Sequence, residues 1–270
     1  MADKNVEGDG SGSGYGDSNS GPNLTEYAEL HGCSCKIGQN DLESLLAETG
    51  LDTDRPELLF GVGEDAAART VTEDRALVST IDFFTPIIDD PYAYGRVAAC
   101  NAASDAFAKG AAEELTFLVV LGLPRELTDV APAILDGIAD AAASMDGVVA
   151  GGHSVLNPWP IAGASVTATA HPDNLVTTEG ATPGDRLYLT KPLGTQPAMG
   201  ALRVQDGEFG EQVRSATDRT ISAIGADALE WMTTPNRAAA RAFSEAPVTA
   251  ATDVTGFGLL GQSEHVAANA

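Results

Sequence analysis

Positive charge is the scarcest commodity in this sequence: 15 Lys and Arg stand against 39 Asp and Glu in 270 residues, a formal net charge of −24. A surface of that sign repels phosphodiester backbones and anionic lipid, which argues against nucleic acid and membrane partners. Cysteine is nearly as rare, with Cys33, Cys35 and Cys100 alone. Three cysteines and no visible export signal argue against a disulfide framework and point to a reducing cytoplasm. No apolar run approaches the ~20 residues that span a bilayer. A P-loop signature, G-x-x-x-x-G-K-[ST], is missing, as is a G-x-G-x-x-G between strand and helix. Cys33 and Cys35 are spaced C-x-C with no second pair, so no tetrahedral zinc site can be assembled from them.

What is present is acidic and apolar. Hydrophobic residues make up 43% of the chain, enough to bury a substantial core, most naturally in two domains. Few lysines among many carboxylates suggest adaptation to high salt, where the Debye length shrinks to ~3 Å at 1 M. On so acidic a protein an anionic substrate needs a local positive site, made by a metal ion and one or two chosen basic side chains. The lysines are Lys4, Lys36, Lys109 and Lys191, and one of them closes the stretch "HGCSCKIG" beside two of the three cysteines. A cation next to a thiol favours the thiolate, so this pairing is a candidate reactive site.

Residues 1–22 are Gly/Ser/Asp-rich and read as a disordered tail. Residues 23–54 hold the Cys-Lys loop and a first helix, with Asn40 as N-cap, Leu42, Leu45 and Leu46 as an apolar stripe, and Gly50 as terminator. Residues 55–178 form a first domain. Its "RALVSTIDFF" reads as a strand passing into a loop at Asp82, and "ELTFLVVLGLP" as a buried strand. "YAYGRVAACNAASDAFAKG" is an alanine-rich helix ended by Gly110, on which Val97, Asn101 and Asp105 share one face. Pro132 is tolerated in the first turn of the next helix. "VVAGGHS" suggests a strand breaking into a glycine turn, and "PGDRLYLTKPLG" a further strand that opens a second, partial domain over 179–270.

Four carboxylates stand out by their settings: Asp65 in "GVGEDAA", Asp82 at a strand end, Asp105 on the small-residue helix, and Asp253 in "ATDVTGFGLLG". Carboxylates at element ends near glycines suit Mg²⁺, which takes a few such ligands and completes its octahedron with water and phosphate oxygens. Taken singly, each is more often a solvated surface charge; their joint setting singles them out. Gly152, His153 and Ser154 offer backbone N–H groups and a hydroxyl suited to phosphate or ribose, although His153 reads equally well as a structural hydrogen-bonding residue.

"GCSCK", "EDAA", "STIDFFTPIIDDPYAYGRVAACNAASDAFAKG", "GGHS", "LTKPLG" and "TDVTGFGLLG" occur in the order found in the selenophosphate synthetase (selenide, water dikinase) family, which the chain resembles from about Leu24 to Gly261. Aminoimidazole ribonucleotide synthetase and thiamine-monophosphate kinase share the acidic motifs but lack the Cys-x-Cys-Lys loop. The resemblance implies a mixed α+β, two-domain aminoimidazole ribonucleotide synthetase-like fold, here in a haloarchaeal-type chain. It implies conversion of ATP, selenide and water to selenophosphate, AMP and orthophosphate. Cys33 and Lys36 would be catalytic, with Mg²⁺ at Asp65, Asp105 and Asp253. Nucleotide contacts would come from Lys36, Asp82, Asp105, Gly152, His153 and Ser154. Lys36 would help to keep Cys33 ionised, while Cys100 would be a buried small hydrophobe.

The family is typically a homodimer whose first domains pair strands into a shared barrel. Its members run well beyond the last motif and have histidine where this chain has Gln262, so the chain is expected to lack part of its second domain. The competing readings are a related ATP-dependent kinase or synthetase, against which the Cys33–Lys36 loop argues, and an inactive homologue that retains Mg·ATP binding.

Overall fold

A computed structural model of the chain describes residues 21–49 and 55–270. Residues 1–20 of the expected tail, and the terminator Gly50, lie outside the described residues. Helix α1 (Gln39–Ala47) starts one residue before the anticipated cap, with Gly38 in the N-cap position and Asn40 inside the first turn. Two of its three leucines, Leu42 and Leu45, remain exposed, and Leu46 is half-buried.

The chain then builds one six-stranded sheet: β1 (Leu58–Phe60), β2 (Ala67–Thr72), β3 (Arg75–Phe84), helix α2 (Pro91–Ala108), β4 (Glu113–Leu123), helix α3 (Ala131–Ser144), β5 (Val148–Leu156) and β6 (Ile161–Ala170). The strand order is β1-β2-β3-β6-β4-β5. Strand β6 returns between β3 and β4, antiparallel to both, while β4 and β5 are parallel across the α3 crossover. Helix α2 begins with Pro91 behind the N-cap Asp90, whose carboxylate accepts from Ala93 N at 2.6 Å, and Pro132 does fall in the first turn of α3.

Helix α2 is buried on nearly every side, as a helix apolar all round must be. It lies between the sheet and α3, and the two helices cross where neither has a side chain. A Cβ on Gly95 would stand 2.1 Å from Ile134 O, and one on Gly137 2.1 Å from Tyr92 O. This close approach explains the small residues of the sequence: the backbones touch, so alanine and glycine suffice to fill the space. Gly110, at φ +80°, turns the chain out of the helix as expected.

Beyond residue 180 the described elements are helices: α4 (Thr195–Val204), α5 (Gly210–Ser215), α6 (Ile221–Thr233), α7 (Arg237–Phe243) and α8 (Gly258–Ala268). Helices α6 and α7 pack on α2. None of the helices among the described residues is long and apolar enough to cross a membrane.

Three expectations are corrected. Strand β3 does not end at Asp82 but runs to Phe84, because Asp82 pairs with Ala164 and Phe84 with Ala162 on β6. "AGGHS" is not a turn: it continues β5, with Gly152 opposite Val119. There glycine serves close approach, since a Cβ on Gly152 would lie 2.2 Å from Val119 O. The strand expected over 186–190 is irregular chain with Leu187 and Tyr188 82% and 79% exposed. A strand needs a neighbour to take its N–H and C=O groups, and the described residues supply none there.

Candidate active site

The site forms where the inward face of β3 meets α2. Alternation on the strand points Thr80 and Asp82 towards the helix, while a four-residue step on the helix aligns Asp105 and Asn101. Two strand residues span ~6.7 Å and one helical step of four ~6 Å, so the two rows match. Thr80 Oγ1 donates to Asp105 Oδ2 at 2.6 Å, and Asn101 Nδ2 donates to Asp82 Oδ2 at 2.7 Å.

Two loops complete the acidic end. Asp65, Asp105 and Asp253 come together with one oxygen of each within 4.8 Å of the others. Asp65 Oδ1 accepts from Thr252 Oγ1 at 3.0 Å, and its Oδ2 lies 2.9 Å from Lys109 Nζ, an ion pair without hydrogen-bond alignment. Asp253 Oδ2 is buried with no hydrogen-bond partner among the described residues. Burial, and then the neighbouring charges of Asp253 and Asp82, push the Asp105 carboxyl well above its usual range. Burial, followed by the charge of Asp65, raises Asp253 to about 6. Crowded carboxylates with a partnerless buried oxygen are what a hard divalent cation needs, so the donor set fits Mg²⁺.

The Cys-Lys loop docks on the other end. Gly32 N donates to Thr85 O at 3.1 Å, fixing the loop to the end of β3, and Gly32 itself takes φ +60°. Gly256 lets the chain pass, for a Cβ there would sit 2.6 Å from Cys33 O. Cys33 Sγ donates to Asn101 Oδ1 at 3.5 Å, and Lys36 Nζ lies 3.5 Å from Asp82 Oδ2. Asn101 therefore joins thiol and carboxylate. Burial opposes the Lys36 ammonium, but the surrounding acidic groups, Asp82 foremost, outweigh it and raise its pKa.

Lys36 favours the Cys33 thiolate, as expected, but it does not prevail. Burial and the Asp82 carboxylate push the Cys33 thiol up to about 12, against the smaller opposing pull of Lys36. Lys36 turns to the carboxylate, leaving a neutral thiol beside it. Cys100 is buried, as anticipated, and its Sγ donates to Thr233 O at 3.5 Å.

Gly152, His153 and Ser154 stand apart. The pairing Asp82–Ala164–Val119–Gly152 puts them three strands across from Asp82, roughly 14 Å at ~4.8 Å per strand. They lie on the exposed edge strand rather than beside the acidic cluster of their own chain. Sequence reasoning missed Thr80, Thr252 and Lys109, and it noticed Asn101 only by its shared face with Asp105. A cavity of about 930 Å³, lined by Cys33, Asn101, Asp253, Tyr188, Lys191 and Trp231 among others, opens beside the site. That volume lies within the usual ~300–1,000 Å³ of small-molecule sites.

Known proteins resemble the chain in both halves. The model of the AIR synthase related protein N-terminal domain matches residues 63–170, and that of the corresponding C-terminal domain matches 182–270. A selenide, water dikinase of Methanococcus maripaludis is 42% identical over 246 residues, covering 88% of this chain and 72% of that protein. One from Methanocaldococcus jannaschii is 39% identical over 258 residues, 91% of this chain and again 72% of the relative. Among solved structures, AaThiL complexed with AMPPCP and TMP shares the fold at a TM-score of 0.59 and 21% identity, over 86% of this chain and 70% of that one.

Proposed function

The chain belongs to the selenide, water dikinase family, and on that premise we propose that it makes selenophosphate from selenide, ATP and water, releasing AMP and orthophosphate. The observation that carries this reading is the docking of Cys33 and Lys36 onto Asp82 and Asn101, beside the three clustered carboxylates. A soft thiol and a cation stand next to a site for hard metal and phosphate, which is the combination a selenium–phosphorus bond requires.

In this reading Asp65, Asp105 and Asp253 hold Mg²⁺, supported by their clustered oxygens and the partnerless Asp253 Oδ2. The bound ion neutralises phosphate charge that this acidic chain would otherwise repel. Lys36 is part-exposed at 34%, and its ammonium is free to move from Asp82 to a phosphoryl oxygen. The Cys33 thiol presents selenide to the phosphoryl group, and Asn101 holds that thiol in place. The docked loop covers the site and limits the approach of water.

Gly152, His153 and Ser154 contact nucleotide only across a second copy, since they lie on an exposed edge three strands from the acidic cluster. The protein accordingly acts as a homodimer.

Phosphorus NMR of ATP turnover at molar salt, with and without selenide, tests the reading. Equal amounts of AMP, orthophosphate and selenophosphate are expected, with selenophosphate absent for Cys33→Ser while Mg·ATP binding persists. ADP as product, or full selenophosphate output from Cys33→Ser, would overturn the assignment.

A further inference from the structure

Lys109 is fully buried, and among the described residues no other lysine or arginine is. An ammonium is withdrawn from water only where partners replace its hydration. Here the ammonium donates to Glu64 Oε2 at 2.5 Å and Ala251 O at 3.1 Å, and Asp65 Oδ2 stands against it at 2.9 Å as an ion pair. The surrounding contacts extend the junction. Glu64 Oε1 accepts from Thr178 N and Oγ1, both at 2.9 Å; Lys109 O accepts from Val176 N at 3.2 Å; and Ala251 N donates to Thr177 O at 3.0 Å.

Two separate pieces of chain therefore meet on one ammonium, the loop carrying Asp65 and the loop that reaches Asp253 two residues after Ala251, and the connection at 176–178 ties to both through Glu64, Ala251 N and the Lys109 carbonyl. Lys109 also closes α2 one turn beyond Asp105, the third carboxylate.

Resting on the reading of those carboxylates as a divalent-cation site, we infer that Lys109 is a positioning residue: an internal cation that assembles Asp65, Asp105 and Asp253 before any metal ion arrives. Three carboxylates this close repel one another, and without a fixed positive charge their loops separate until a divalent ion gathers them. Lys109 supplies that charge from behind Asp65, while Thr252 holds the other oxygen of the same carboxylate. The orientation of Asp65 is thus set by the protein, and a metal ion meets a preformed site.

The test separates charge from geometry. The double variant Lys109→Met/Glu64→Gln removes one positive and one negative charge, so the net charge of the cluster is kept and Glu64 is not left buried without its counter-ion. Mn²⁺ titration without nucleotide, followed by electron paramagnetic resonance at molar salt, should show at least tenfold weaker binding in the double variant, with far-UV circular dichroism unchanged. A double variant that binds Mn²⁺ as tightly as the wild type would overturn the inference and leave the cation site standing. A wild type that binds no Mn²⁺ would overturn the cation-site reading and the inference with it.

The wild type alone provides a second readout. In EDTA, peptides spanning 249–256 should already be protected from amide exchange, because Lys109 fixes Ala251 without metal. Exchange there that slows only when Mn²⁺ is added would equally overturn the inference.

Discussion

At Cys33 the chemistry depends on which neighbour wins. Burial and the Asp82 carboxylate push its thiol up to about 12, and Lys36 pulls the other way without prevailing. A raised thiol pKa means the neutral form persists from acid through ordinary assay pH, with thiolate accumulating only near the folded value. Iodoacetamide at pH 8, read by peptide mass spectrometry, should therefore modify Cys33 at least tenfold more slowly than an exposed model thiol. Asp82→Asn removes the largest charge effect on the thiol and releases Lys36, so labelling should accelerate severalfold; an unchanged rate would show that Asp82 does not govern the thiol. Asn101 illustrates what spacing can reveal at this scale. Its place on the Asp105 face follows from helical periodicity, whereas its two partners, Cys33 and Asp82, reach it from 68 and 19 residues away in sequence.

Among the elements, β5 is the least satisfied. Every residue of it is exposed, including Val148, Val155 and Leu156 at 57%, 49% and 56%. On the sheet face away from α2, Ile81 and Phe83 are 57% and 46% exposed. An apolar edge strand beside an apolar sheet face is a surface that pairing between chains would cover, which supports the proposed homodimer. Val155→Glu places a charge on that edge, and light scattering at molar salt should show a dimer for the wild type and a monomer for the variant. A wild-type monomer, or an unaffected dimer, would remove β5 from the interface. Strand β5 was identifiable as apolar from its sequence, but "AGGHS" read as a turn because a glycine pair has the same local signature whether it bends the chain or admits a neighbouring backbone. The approach to Val119 decides between them.

For the molecule as a whole, the dominant quantity is the net charge of −24. Surface pairs such as Arg241–Glu113 at 3.1 Å and Arg219–Asp227 at 2.7 Å lose strength in salt, but exposed pairs contribute only ~0–1 kcal/mol each. Self-repulsion among so many excess carboxylates is the larger effect, and screening to a Debye length of ~3 Å at 1 M relieves it. The thermal midpoint should therefore climb as KCl rises from 0.1 to 2 M. At about 2–4 °C per kcal/mol for a chain of this size, relief of a few kcal/mol amounts to roughly 10 °C. A flat or falling midpoint would mean that the acidic surface is not a salt adaptation.

The sequence by itself determined the mixed α and β elements, the alanine-rich helix with its Gly110 exit, the face shared by Asn101 and Asp105, and the motifs that mark the family. Capping, turn chemistry and hydrophobic period act over a few residues, and a few residues are enough to read them. Tertiary structure decided which carboxylates meet, that burial and Asp82 outweigh Lys36 at the Cys33 thiol, and that 186–190 stays irregular for want of a neighbouring strand. It also decided the role of Lys109, which in sequence is an ordinary lysine at a helix C-terminus, where a cation suits the helix dipole. Its buried partners come from Glu64, 45 residues before it, and Ala251, 142 residues after it. Electrostatic and hydrogen-bond partners are chosen by distance in space, and chain returns of that length leave no periodic trace in the sequence.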